Sequence, residues 1–389
     1  MKRNTVTAVM ARSRARGKNG SRLKYRRSPF LVSYWSGKQL VIENFATGRR
    51  IGADPLAITI LNFFDRWRSF REFLSQFNEY QTASLHESLD LLVKHSILER
   101  SDRNRSPSEQ AMQSWAAWNP AAGFFHSSTK DVDFDTDAEE GFRDLQRLAR
   151  ANPMPRPVKQ YANAIHVPMA RPRVANEFPR LLLSRRTWRK FSVRPVDFCV
   201  LGSLLGLTWG VQAWVEIPQV GSVALKTSPS GGSLHPIEAY VLARNVRGLR
   251  PGLYHYDGAA HRLDLLRRGT NSRQIVKYLA GQWWFSGASF VVFMTAVFTR
   301  TQWKYDYARA YRAVLMEAGH LCQTFCLTAT WLGSAPFCTI AFSDSLIERT
   351  LGVDGISESV LYAAGAGMRP PDERQAHLGT MGARVSWRR

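Results

Sequence analysis

What most restricts the fold of this chain is the order of its apolar runs between about Tyr161 and Gly367. Strand-like segments "IEAYVLARN", "GLYHYD", "RLDLL", "FVVFMTAVF" and "SVLYAAGA" are set among helical ones, including a long helix predicted from about Tyr307 to Leu332. They follow no regular strand-helix-strand succession, and no internal repeat is visible. That order predicts an α+β domain, a mixed sheet flanked by helices, over residues 161–370.

Ahead of it, residues 25–101 read as a separate small module. "FLVSYWSGKQLVIENF" predicts two strands about a Ser-Gly-Lys turn, and "DPLAITILNFFDRW", "SFREFLSQF" and "ASLHESLDLLVKHSIL" predict three short helices, with Asp54 and Ser84 as N-caps. A strand pair with three short helices is winged-helix-like, although a helical subdomain with no ligand of its own satisfies the same pattern. Residues 102–160, with the acidic run "DVDFDTDAEE" and then "RANPMPRPVK", read as a linker and wrapping segment. Residues 1–24 read as a disordered basic arm and 371–389 as a C-terminal tail.

Charge is the compositional anomaly, since 53 Lys and Arg against 31 Asp and Glu give a formal net charge of +22. Such a balance suits phosphate backbones, but the cations are spread along the chain and form no DNA- or RNA-binding signature. An acidic protein or peptide partner accounts for the charge as well, and no specific nucleic acid is expected. No apolar run is long enough for a bilayer span, and the N-terminus lacks the apolar core of a secretory signal. The four cysteines, Cys199, Cys322, Cys326 and Cys338, have neither metal-site nor redox-pair spacing. No metal is expected, and a reducing cytoplasm fits.

Three clusters carry chemistry. "SRRTWRKF", Ser184 to Phe191, gathers guanidinium groups that can grip a phosphate, though a basic surface face gives the same string. In "SPSGGSLHP" the residues Pro229, Ser230, Gly231 and Gly232 can bring backbone N–H groups against a ligand; a plain turn before a strand would read the same way. "QWKYDYARAYR" places Lys304 and Tyr305 just before the long helix, as a proton-transfer pair or as an amphipathic entry turn. No Walker or GxGxxG fingerprint occurs.

Taken in order with "WLGSAPFC" and "LYAAGAG", these strings resemble the nitroreductase-like superfamily of FMN-dependent enzymes, and within it the SagB-type dehydrogenases of thiazole/oxazole-modified peptide biosynthesis. The resemblance spans about Ser184 to Gly367 and implies a nitroreductase-like FMN-binding fold. It implies FMN phosphate contacts at Arg185, Arg186, Thr187 and Arg189, and isoalloxazine contacts at Pro229, Ser230, Gly231 and Gly232. It places Ser334 on another side of the flavin, Gly365 and Gly367 near the phosphate, and Arg369 as a further cation. "APFCTIAF" departs from the family's more glycine-rich string, which leaves the Ser334 side less defined.

The catalytic role falls to Lys304 and Tyr305. The implied reaction is oxidation of thiazoline or oxazoline rings in a ribosomally made peptide, by proton abstraction and hydride transfer to flavin N5. The implied partners are an azoline-containing precursor peptide, a cyclodehydratase complex and a second copy of the chain in a homodimer. An NAD(P)H-dependent nitroreductase or flavin reductase acting on a small molecule is the alternative, and a scaffold that has kept the fold without flavin is a third reading.

Overall fold

The computed structural model describes residues 23–371 apart from 135–136, 153–154, 156, 160–167 and 171. The basic arm and C-terminal tail expected from the sequence lie almost wholly outside the described residues. The chain divides into two compact units, residues 1–110 and 111–389.

In the first unit, Lys24–Arg27 pairs antiparallel with Arg68–Ser69 on one side and with Leu98–Arg100 on the other. A separate antiparallel meander is formed by Leu31–Ser36, Gln39–Asn44 and Arg49–Ala53. Helices Leu56–Phe63, Phe70–Gln76 and Thr82–Lys94 close over a core of Phe64, Phe73, Phe77 and the Leu85, Leu89 and Leu92 stripe. That stripe recurs at three- and four-residue steps, so one helix face is apolar. Asp54 stands one position before the N-cap, which is Pro55, and its carboxylate accepts from Leu56 N at 2.9 Å. Ser84 does not cap: it lies inside Thr82–Lys94, with Gln81 at the N-cap. One side-chain cap in this unit is Ser69, in a reciprocal box with Glu72.

The second unit is built on a six-stranded sheet. Its order is Arg262–Arg268, Gly252–Asp257, Ile237–Ala243, Phe290–Val297, Glu358–Met368, Ser334–Thr339, with every ladder antiparallel. A parallel pairing joins Val196–Asp197 to Val246–Arg247 in a small separate sheet. Phe290–Val297 is buried along nearly its whole length because helices cover both faces of the sheet at its centre, which is why its sequence reads as an unbroken apolar run.

On one face Tyr240, Leu242, Val291, Phe293 and Phe337 pack with residues of the helices Ser272–Tyr278 and Asp344–Leu351. Against the other lies the helix Ala310–Trp331, which buries Val314, Ala318, Leu321, Phe325 and Ala329 at helical spacing. Residues 113–128 add an aromatic cluster in which Trp115, Trp118, Phe298 and Tyr311 make edge and stacked contacts. No described helix is long and apolar enough to cross a membrane.

Candidate functional site

The loop Ser228 to His235 is tied along the Ala310–Trp331 helix at successive points. The Ser228 and Thr324 hydroxyls share a hydrogen bond of 2.7 Å. Further on, the Glu317 carboxylate accepts from the Ser230 hydroxyl and the Gly231 N–H. Burial pushes that carboxyl up to about 6, against those two hydrogen bonds and the charge of Lys226. The Ser230 oxygen also accepts from His235 N at 2.9 Å, and His235 Nε2 meets Ala224 O at 2.9 Å.

The loop then turns sharply, with Gly232, Ser233 and His235 all at positive φ. For the two non-glycine residues that conformation is costly, and it persists because the neighbouring bonds enforce it. At Gly232, φ is +69° and a Cβ would stand 3.0 Å from both Lys304 Nζ and Tyr305 OH. Two clusters remote in sequence therefore converge on a point where any side chain would intrude. A side chain at Gly232 would be strained at that dihedral and would have to push the Lys304 and Tyr305 ends aside by a few tenths of an ångström.

Lys304 and Tyr305 occupy the short connection between Phe298–Gln302 and Ala310–Trp331. Tyr305 N donates to Thr301 O at 3.0 Å, and its carbonyl accepts from the buried Trp118 Nε1 at 2.9 Å. The Lys304 ammonium lies 5.6 Å from the Tyr305 ring centre. Trp118 was not a candidate from sequence, since a tryptophan 187 positions away gives no local sign of supporting this turn.

The cation cluster assembles at the other end of the same helix. Helix Glu177–Ser184 is fixed there by Trp331 Nε1, which donates to Glu177 at 2.8 Å, and the turn Arg185 to Arg189 follows it. Trp188 N donates to Pro336 O at 2.9 Å. Arg369 donates to Ser334 O at 3.2 Å and to Thr330 O at 2.9 Å, with its guanidinium 5.6 Å from the Trp188 ring centre. "SRRTWRKF", "LGSAPF" and the end of "LYAAGAGMR" are thus one neighbourhood.

Arg186 spends one nitrogen on the carbonyls of Leu183 and Arg185. Thr187 is half-buried and Arg189 is exposed. Gly365 and Gly367 leave room for protein: a Cβ would meet the Phe337 ring at 2.5 Å in the first case and Phe191 at 2.8 Å in the second. The loop and the lysine-tyrosine pair lie beside and ahead of the helix, and the cations lie past its last turn. A helix of 22 residues spans roughly 33 Å.

A cleft of about 540 Å³ opens beside the loop, lined by Trp214, Lys226, His235, Glu238, Arg300 and Trp303 among others. Glu238 binds Arg300 at 2.5 Å and His255 at 2.8 Å. Burial by itself would raise the Glu238 carboxyl, but the His255 hydrogen bond and the Arg300 charge outweigh it and hold it at about 2. A carboxyl depressed from 4.5 contributes stability fully above that pH and loses it as the pH falls toward 2. Chemical denaturation of wild type should therefore weaken through that window, and Glu238→Gln should flatten the slope; an unchanged slope would remove Glu238 as its source.

Residues 182–368 match the model of the nitroreductase family. The chain carries a nitroreductase-family domain. Its strands, long helix and gathered motifs are the α+β nitroreductase-like fold, preceded by a β-containing N-terminal module. The trifolitoxin-processing protein TfxB of Rhizobium leguminosarum bv. trifolii is 30% identical over 153 residues, 38% of this chain and 41% of that protein. The microcin B17-processing protein McbC of Escherichia coli is 29% identical over 143 residues, 35% of this chain and 52% of that protein.

The chain thus matches only about half, or less, of the length of these two relatives. Both are named as processing proteins, in keeping with the SagB-type resemblance of the nitroreductase-family motifs. A solved structure of the E. coli microcin synthetase McbBCD complex with truncated pro-MccB17 bound has a chain 21% identical to this one. The TM-score is 0.49, covering 69% of this chain and 98% of that one.

Proposed function

We propose that the protein is an FMN-dependent azoline dehydrogenase that converts thiazoline or oxazoline rings of a ribosomally made peptide to thiazole or oxazole. The observation that carries this reading is the convergence of Lys304 Nζ and Tyr305 OH on the bare Cα of Gly232. A proton acceptor is held there against a backbone surface with no side chain in the way.

Two groups of residues fit FMN; because they stand toward opposite ends of the Ala310–Trp331 helix, roughly 33 Å long, they would meet on one FMN only across the homodimer, each copy supplying one group. Arg185, Arg189 and Arg369, with Arg186 and Thr187, form a cationic neighbourhood suited to a phosphate. Pro229, Ser230, Gly231 and Gly232 offer a flat backbone stretch, held from behind by Glu317 and Thr324, for the face of the ring system. Ser334 stands at the cation end. Gly365 and Gly367 act by letting Phe337 and Phe191 close on the strand that delivers Arg369.

FMN, when bound, supplies the acceptor for the electron pair that an azoline ring gives up on becoming aromatic. The chain has to receive the proton lost with that pair, and the groups it offers at one place are Lys304 Nζ, acting as the free amine, and the Tyr305 oxygen, acting as the phenolate. Trp303 and the Glu238–Arg300 pair line the adjoining cleft, where a peptide backbone would find both apolar surface and hydrogen-bonding groups. The first unit, whose outer strand Leu31–Ser36 carries an exposed Trp35, would dock the peptide or a cyclodehydratase partner by strand addition. The working form would be a homodimer.

The family match also supports an NAD(P)H-dependent reductase of small molecules, and one experiment separates the two. Purified protein supplied with FMN is incubated with an azoline-bearing peptide and analysed by mass spectrometry. The expected result is a loss of about 2 Da per ring, the removal of a hydride and a proton. No mass change, together with NADPH-driven reduction of a quinone or nitroaromatic, would overturn the proposal in favour of the reductase.

A further inference from the structure

Three of the four cysteines meet inside the second unit. Cys322 and Cys326 lie one turn apart on the buried face of Ala310–Trp331, and Cys338 faces them from the strand Ser334–Thr339. Their sulfur atoms all lie within 4.8 Å of one another. Cys199, the fourth, is exposed and elsewhere. Sequence spacing hides the group because its third member arrives through sheet topology.

Cysteines packed merely as small hydrophobes have no need to aim three sulfurs from two elements at one point. Three sulfurs about a metal at roughly 2.3 Å stand about 4 Å apart, within the separation seen. One further group addresses the cluster: the Tyr362 hydroxyl points at Cys338 Sγ from 3.6 Å.

We propose that Cys322, Cys326 and Cys338, two of them buried and the third half-buried, form a site for one soft monovalent d10 cation, Cu(I). Thiolate donors select soft ions, and the coordination number decides between them. Among the described residues no histidine or carboxylate joins the three sulfurs, whereas structural zinc takes four ligands. Two of the sulfurs binding as thiolates leave Cu(I) with a single net negative charge, and the third sulfur closes a trigonal shell. The site pins the long helix to the strand at the sheet edge and stands independently of the flavin reading.

The test is an anaerobic titration of the reduced full-length protein with Cu(I) in the presence of bicinchoninate as competing chelator. Wild type and Cys199→Ala are expected to withdraw one equivalent. Cys322→Ala, Cys326→Ala and Cys338→Ala should each weaken binding by more than about 100-fold, beyond what loss of an outer-shell partner costs. Wild type that leaves all copper with the chelator overturns the proposal whether or not the variants fold. So does preferential uptake of Zn(II) when both ions are offered, because it would require a fourth ligand.

Discussion

Lys304→Ala is expected to leave the protein folded with FMN bound while azoline oxidation falls by about 10²–10⁴-fold, the usual range for loss of a positioned proton-transfer group. The side chain is exposed, so its removal opens no cavity. Tyr305→Phe tests the same step from the other group, and it spares the backbone carbonyl that accepts from Trp118. Single-turnover measurement with saturating peptide, alongside flavin absorbance as the occupancy control, reads both. If one variant loses turnover and the other keeps it, the proton acceptor is assigned to the first. Normal turnover in both would mean that neither group takes the proton.

Trp118→Ala should have the largest effect on stability. The side chain is wholly buried and packs against Trp115, Phe298 and Tyr311, so truncation should cost about 3–5 kcal/mol. It also deletes the donor that holds the Tyr305 carbonyl. Trp118→Phe separates the two contributions: most of the aromatic volume stays and only the N–H is lost. Denaturant midpoints at constant m-value should show a large loss for Ala and a much smaller one for Phe, with turnover reduced in both. Wild-type turnover in Trp118→Phe would show that the Tyr305 turn is held without that bond.

How much of this was legible in the sequence differs from element to element. The central strand segments and the long helix were readable because burial on both faces leaves continuous apolar runs and burial on one face leaves helical spacing, whereas "RLDLL" is a largely exposed edge strand. Ser334–Thr339 was read only as part of a motif, since Pro336 interrupts its strand pattern; as an edge strand paired on one side, it tolerates a proline. The hairpin Ala213–Ile217 with Gly221–Leu225 was missed, its residues being largely exposed and so without clear alternation. Ser84 misled because a serine inside a first turn looks the same in sequence as one at the cap.

At the candidate site, Gly232, Lys304 and Tyr305 were named from their motifs, and the fold adds that they converge. Glu317 carried no role in the sequence reading, because nothing local shows a carboxylate reaching under a loop some ninety residues earlier in the chain. The cysteine group and Trp118 have the same cause: each depends on which element lands beside which.

The loop lashed at Ser228, Ser230 and Gly231 to the Ala310–Trp331 helix makes that helix a measuring rod with a fixed angular scale. Each residue turns it by about 100° and advances it by about 1.5 Å. Adding a single residue between Glu317 and Thr330 would therefore swing the anchorage of Arg369 to another side of the rod, while the Gly232 end stayed where it was. Substitutions along the helix can be absorbed one by one, but its length cannot drift without putting the two ends out of phase.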